Sequence, residues 1–139
     1  MGKDKLKRFA EMEHFERVIQ PQITYHSADH ELKGRWAKDI FKNNNPIILE
    51  IGCGRGEYTV ELAKRNPQFN FIGIDIKGAR IWKGAKIINE EHILNAAFLR
   101  IRMETIEKFF CSNEVSQIWV TFPDPQPKES KENKRLTAP

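Results

Sequence analysis

The stretch PIILEIGCGRG, residues 46–56, decides how this chain folds. Residues 47–51 form an apolar, largely β-branched run, which is typical of a parallel strand buried on both faces. Three alternating glycines follow, and they let the backbone turn tightly and approach a bound molecule: Gly52, Gly54 and Gly56. Glu50 is the one charge inside the run. Because a buried carboxylate is costly without a partner, we expect a ligand or backbone donors to hold it.

The helix that follows the turn helps to identify the ligand. Glu57–Arg65 is predicted as a helix, which Pro67 ends. In the dinucleotide-binding turn, G-x-G-x-x-G, the last glycine lies at the helix start, where the pyrophosphate binds. Glu57 occupies that position here, and its carboxylate would repel a pyrophosphate. The sequence therefore disfavours NAD.

The spacing E-x-G-x-G-x-G, which begins at Glu50, resembles the first motif of class I methyltransferases. The resemblance implies a Rossmann-like α/β fold that binds S-adenosylmethionine, a cofactor with a positive amino-acid end and no phosphate. A second buried strand, predicted at residues 71–76, carries Asp75, which is placed to accept hydrogen bonds from both ribose hydroxyls of an adenosine cofactor. We therefore predict that Glu50, Asp75 and the three glycines bind S-adenosylmethionine.

Further helices and strands are predicted along the rest of the chain. The helices are residues 32–41, 78–91 and 103–110, and the third and fourth strands are residues 97–101 and 115–122. In class I methyltransferases the turn after the third strand meets the adenine. Glu104 is the acid placed there to accept the adenine amino group, or else it satisfies free N–H groups at the helix start.

The sequence FPDPQPK, residues 122–128, carries a more specific resemblance. With PIILEIGCGRGEYTVELA, NFIGIDIKGARIWKGAK and IWVTFPDPQPK, it resembles the tRNA (guanine-N7-)-methyltransferases, which have a P-D-P-W-P-K loop followed by a basic segment. Gln126 replaces the usual aromatic residue, and Arg102 stands where an acid often meets the adenosine. The resemblance implies methyl transfer to guanine N7 in tRNA, with Asp124 orienting the guanine and contacting the cofactor. It also implies four residues that face the tRNA: Lys128, Lys131, Lys134 and Arg135.

Composition limits the class of protein. The chain has 139 residues, of which 40% are hydrophobic and 30% charged, as expected for one globular domain. It lacks an apolar stretch of the roughly 20 residues that span a membrane, and it lacks a signal peptide, so we predict a cytoplasmic protein. Cys53 and Cys111 give neither a metal-binding spacing nor a disulfide framework. The net charge of +4 favours a polyanion such as RNA as the partner.

Residues 1–31 are predicted to be a basic arm and an irregular segment, and residues 32–139 to be the S-adenosylmethionine-binding domain. The basic residues of the arm either belong to a solvated tail or contact nucleic acid: Lys3, Lys5, Lys7 and Arg8. His26 and His30 are four residues apart, but no third ligand is evident, so we predict no metal.

The class I fold has seven strands, and only four are counted before Pro139. We therefore expect this chain to be the N-terminal half of the full fold, with strand order 3-2-1-4. The fourth strand would then be an exposed edge, through which we expect self-association. Two alternatives stay open: a non-catalytic module that binds RNA or S-adenosylmethionine, and a nicotinamide-dependent oxidoreductase.

Overall fold

The computed structural model describes residues 2–24, 26–76, 78–120 and 135–136. The strands are β1 (Val18–Ile19), β2 (Ile47–Ile51), β3 (Asn70–Asp75), β4 (Ala96–Arg100), β5 (Gln117–Val120) and β6 (Arg135–Leu136). The helices are α1 (Gly2–Met12), a π-helix (Trp36–Phe41), α2 (Glu57–Arg65), α3 (Gly78–Glu90) and a 3-10 helix (Met103–Lys108). Within these ranges, no helix has the length and apolar character needed to cross a membrane.

All six strands belong to one sheet, in the order β1-β4-β3-β2-β5-β6. Strands β1 to β5 are parallel, and β6 pairs with β5 in the antiparallel direction. The predicted order 3-2-1-4 corresponds to β4-β3-β2-β5 and is confirmed. Because β3 and β5 lie on opposite sides of β2, the chain reverses direction across the sheet there, which is where ligands bind in open α/β sheets.

Both faces of the sheet are covered, as the unbroken apolar strands predict. Successive side chains of a strand point to opposite faces, and in β4 Phe98 joins one core cluster while Leu99 joins the other. The first cluster includes Val60 of α2 and Ile81 of α3, whereas the second includes Trp36 of the π-helix. These two core clusters cover the sheet on both faces. The carboxyl ends of the parallel strands all lie along one side of the sheet, and we call this side the carboxyl edge.

Most predicted elements agree with the structure to within two residues. Helix α2 has the predicted bounds, α3 ends at Glu90, and β3 and β4 each begin one residue before the predicted start. The helix predicted at residues 103–110 is a shorter 3-10 helix. The fourth predicted strand is described over Gln117–Val120, and its last two residues lie outside the described ranges.

The helix predicted at residues 32–41 is wrong in its first half. Gly34 has a φ of +80°, in the left-handed region that interrupts a helix. The backbone N–H groups of Gly34 and Trp36 donate to the carboxylate of Glu114, at 2.8 and 3.2 Å. The π-helix therefore begins only after this turn, at Trp36.

The N-terminal segment is more regular than the sequence predicts. The residues expected to form an arm belong to α1, which packs against α3. Met12, Phe15 and Val18 lie in the same core cluster as Phe98, and β1 pairs with β4. Helix α1 is amphipathic, and the sequence analysis missed it because its lysine-rich start was interpreted as a basic arm.

The fourth predicted strand, β5, is not an exposed edge where it pairs with β6. Ile118 lies opposite Leu136, and Trp119 lies opposite Arg135, in an antiparallel register. The prediction of an edge is wrong at these residues because a later part of the same chain supplies the hydrogen-bonding partner. The exposed edge was the reason for predicting self-association, and that reason no longer applies at these residues. Self-association itself stays a prediction.

Candidate functional site

The glycine-rich turn lies at the carboxyl edge, between β2 and α2. Its three glycines have positive φ angles, 75° at Gly52, 58° at Gly54 and 80° at Gly56. The N–H groups of Gly52 and Cys53 donate to the carbonyl of Ile74, at 2.7 and 3.1 Å, which ties the turn to β3. The alternating glycines are therefore required by the backbone conformation.

Packing makes a second demand on Gly56, the residue that caps α2. A Cβ atom there would lie 2.5 Å from the ring of Phe98, which is too close for any side chain. The loss of this glycine would therefore move either α2 or the core beneath it.

Asp75, the last residue of β3, contacts the glycine turn directly. Its Oδ2 accepts a hydrogen bond from the backbone N–H of Gly54 at 2.9 Å. The residue is partly exposed, and a carboxylate can accept several hydrogen bonds at once. The structure therefore brings together Asp75 and the turn, which are 21 positions apart in sequence.

Glu50 lies deeper, with only 3% of its surface exposed. Its Oε1 accepts a hydrogen bond from the hydroxyl of Thr59, in the first turn of α2. The sequence predicted a ligand or backbone donors for this carboxylate and missed the threonine. Glu50 therefore helps to fix α2 to β2 just behind the glycine turn.

Gly84 of α3 is a second residue that the sequence analysis missed. Its N–H donates to the carbonyl of Arg55, inside the glycine turn, at 2.8 Å. A Cβ atom at Gly84 would lie 2.8 Å from that oxygen and 2.8 Å from the ring of Phe98. A glycine inside a helical pattern was the available signal, since it often marks close packing.

The segment after β4 reaches the same edge. Glu104 is exposed in the first turn of the 3-10 helix, just after the exposed Arg102. Two apolar side chains that follow β3 and β4 are also exposed, Ile76 by 44% and Met103 by 39%. Because β3 and β4 are neighbours, these side chains and Glu104 provide apolar and acidic surface beside Asp75.

The predicted substrate residues cannot be placed in this site. Asp124, Lys128, Lys131 and Lys134 lie outside the described residues, and only the backbone of Arg135 is described, in β6. Their roles stay predictions.

His30, one of the two histidines considered as metal ligands, contacts other groups of the protein. His30 Nδ1 accepts a hydrogen bond from the N–H of Leu32 at 3.1 Å, and its ring stacks on Phe109 with centroids 5.0 Å apart. No cluster of three or more potential metal ligands occurs in the described part of the chain.

The parallel sheet, its strand order and the glycine turn facing an acid on the next strand define a class I methyltransferase fold. Two solved structures share it. A 30S ribosomal A1408 methyltransferase from an uncultured bacterium has a TM-score of 0.55 at 20% identity, covering 76% of this chain and 48% of that one. An antibiotic related methyltransferase has a TM-score of 0.51 at 18% identity, covering 75% and 54%.

The family follows from sequence comparison. The chain belongs to the Methyltransf_4 family, described as "Putative methyltransferase", whose model matches residues 44–139. A relative from Christiangramia forsetii, named tRNA (guanine-N(7)-)-methyltransferase, is 58% identical over 137 residues, or 98% of this chain and 61% of the relative. A relative of the same name from Bacteroides fragilis is 50% identical over 139 residues, or 99% and 54%.

These relatives confirm the resemblance inferred from the PDPQPK loop and the glycine turn. The chain spans only 61% and 54% of their lengths.

Proposed function

We propose that this chain is the cofactor-binding half of an enzyme that methylates N7 of a guanine in tRNA. The contact between Asp75 and Gly54 carries the proposal, because it places an acid and bare backbone side by side at the carboxyl edge. The names of the relatives supply the substrate.

The residues at this edge fit S-adenosylmethionine. Asp75 would accept hydrogen bonds from the ribose hydroxyls, and the glycine turn would lie against the amino-acid end. Ile76 and Met103 offer apolar surface for a flat adenine ring, with Glu104 as the acceptor for its amino group. Glu57 is exposed at the start of α2, and its carboxylate disfavours a pyrophosphate there.

The proposed reaction needs positioning more than proton transfer. S-adenosylmethionine, when bound, supplies an electrophilic methyl group. Guanine N7 has a lone pair in the plane of its ring, so no general base has to remove a proton from it. The protein has to hold the guanine in line and exclude water, and such positioning can be worth several kcal/mol. We assign guanine orientation to Asp124 and phosphate contacts to Lys128, Lys131, Lys134 and Arg135.

Calorimetry with S-adenosylmethionine tests the cofactor site. We expect Asp75→Ala to weaken binding roughly ten- to hundredfold, because the ribose hydroxyls lose a charged acceptor worth about 1.5–3 kcal/mol. We expect a smaller loss for Glu104→Ala, since adenine contacts can be made partly by the backbone.

Asp75→Asn is the matched control, because its amide oxygen can still accept the hydrogen bond from Gly54. Its melting curve should match that of the unchanged chain, while its affinity falls. Equal losses for Asp75→Ala and Glu104→Ala would contradict the assignment, and tighter binding of NAD would identify an oxidoreductase.

A non-catalytic module that binds S-adenosylmethionine or RNA is the second candidate. The observation that favours it is the coverage of only 61% and 54% of the relatives. A methyl-transfer assay with tRNA on the purified chain separates the two functions, because a module binds one or both ligands without producing methylated guanine. Light scattering on the same sample tests the predicted self-association.

A further inference from the structure

Helix α1 is attached to α3 around the side chain of Trp82. The indole Nε1 donates to Glu11 Oε1 at 2.7 Å. The guanidinium carbon of Arg8 lies 4.5 Å from the Trp82 ring centroid, and Lys86 Nζ lies 4.9 Å from it. Cations over an aromatic face are attracted to it, so this one ring gathers basic residues from both helices.

The same surface continues towards the glycine turn. Gly84 of α3 contacts the carbonyl of Arg55, and the side chains of Arg55 and Lys83 are both exposed. Lys7 is exposed on α1, one residue before Arg8. We call these five residues the α1–α3 basic surface: Lys7, Arg8, Arg55, Lys83 and Lys86.

Two carboxylates contact this surface, among the side chains that the structure describes. Glu11 pairs with Lys86 at 3.6 Å, and Glu57 pairs with Lys83 at 3.2 Å. Five basic residues against two acids leave an excess of three positive charges. Both ion pairs are solvent-exposed and therefore weak, so they leave the lysines able to contact an external anion.

The electrostatic field at Glu11 agrees with this excess. The pKa of Glu11 is lowered, first by the hydrogen bond from Trp82 and also by the positive charges of Lys86 and Lys7. Lys7 of α1 and Lys86 of α3 therefore act on the same carboxylate.

We propose that the α1–α3 basic surface binds the phosphate backbone of the tRNA whose guanine is methylated. This proposal rests on the proposed function, because tRNA is the substrate in that function and is therefore the partner assigned to the surface. Arg55 and Lys83 lie at the glycine turn, so they can contact phosphates of a tRNA that delivers a base to the carboxyl edge. Lys7 and Arg8, remote in sequence from the glycine turn, thereby become part of the RNA-binding face.

Charge reversal tests the surface, using binding of an unmodified tRNA at several salt concentrations. We expect the double variant Lys7→Glu and Lys83→Glu to bind at least about tenfold more weakly. We also expect its plot of log affinity against log salt to be shallower by about two units, because two phosphate contacts are lost.

The double variant Lys38→Glu and Lys64→Glu is the matched control. It changes the net charge equally, and Lys64 also forms an exposed ion pair, with Glu91 at 3.2 Å. The control should keep the slope of the unchanged chain. Both doubles should bind S-adenosylmethionine normally, which shows that the fold and cofactor site are intact.

Three outcomes would overturn the proposed role of the α1–α3 basic surface while leaving the methyltransferase proposal standing. One is an equal loss of tRNA affinity in both doubles. Another is an unchanged salt slope in the Lys7 and Lys83 double. Tighter binding to vesicles of anionic phospholipid than to tRNA would also overturn it. If the unchanged chain failed to bind tRNA at low salt, the RNA-binding role of this surface would also be rejected. The calorimetry with Asp75→Ala would still test the cofactor site independently.

Discussion

Thr59 shows how a single hydroxyl can support a binding site from behind. It is 1% exposed, and it donates a hydrogen bond to the carboxylate of Glu50, which is also buried. A buried charge that loses a donor keeps its desolvation cost, so the effect of removing the hydroxyl should exceed that of an ordinary hydrogen bond.

We expect Thr59→Val to lower the free energy of unfolding by about 1.5–3 kcal/mol, the range for hydrogen bonds to charged groups. Thr105→Val is the matched control, because Thr105 is 2% exposed and its hydroxyl donates to the neutral carbonyl of Arg102 at 2.7 Å. The control should cost about 0.5–1.5 kcal/mol. Urea denaturation measures both, and a larger loss in the control would contradict the role given to Thr59.

The candidate site could be predicted from sequence only where local rules apply. The glycines were found because glycine is the residue type that readily adopts positive φ angles. Asp75 was found because it ends a buried strand. Thr59 and Gly84 were not, since their contacts arise only when α2 and α3 dock against the turn. The glycine inside the helical pattern of α3 was the available signal for Gly84, whereas no local pattern marks Thr59.

At the scale of elements, the same division holds. Strands β2, β3 and β4 were predictable because they are short, apolar and bounded by turns. The π-helix and the preceding turn were not, because the carboxylate of Glu114 holds that turn from nearly 80 residues away, by hydrogen bonds to Gly34 and Trp36. Helix α1 likewise packs against α3, a contact between segments that are far apart in sequence.

The attachment of α1 should depend on pH. Because the pKa of Glu11 is lowered in the folded chain, its ionised form stabilises the fold above the ordinary carboxyl pKa. This stabilisation is lost as the pH falls through the folded-state value. We expect the chain to melt at a higher temperature than Glu11→Gln near neutral pH, and the difference to vanish in acid.

Melting curves between about pH 3 and pH 7 test this prediction. Glu13→Gln is the control, since Glu13 is exposed in the turn that directly follows α1. A difference between the unchanged chain and Glu11→Gln that stays constant with pH would show that the charge of Glu11 plays no part.

At the scale of the whole molecule, the N-terminal segment completes one face of the core. Met12, Phe15 and Val18 are exposed by only 0%, 9% and 8%. They pack in the cluster that also contains side chains of α2, α3 and β4. A folded unit that begins at residue 32 would lack Met12, Phe15 and Val18, and the apolar side chains that they contact would be exposed to solvent.

Deletion of residues 1–20 should therefore abolish cooperative unfolding. Removal of a large buried side chain costs about 2–5 kcal/mol, and three of them together approach the total stability of a typical domain, about 5–15 kcal/mol. Circular dichroism during heating measures the transition. Leu6→Ala is the control, because Leu6 is 70% exposed. This variant should show the same thermal transition as the unchanged chain. A sharp transition in the shortened chain would support an independent domain from residue 32 onwards.

The pairing of β1 with β4 also has a consequence for biosynthesis. Val18 lies opposite Phe98, so 80 further residues must be made before β1 can find its neighbour. At about 5–20 residues per second, this takes roughly 4–16 s on the ribosome. During that interval the core cluster that receives Met12 and Phe15 is still incomplete. The part of the chain that is synthesised first is therefore among the last to reach its place.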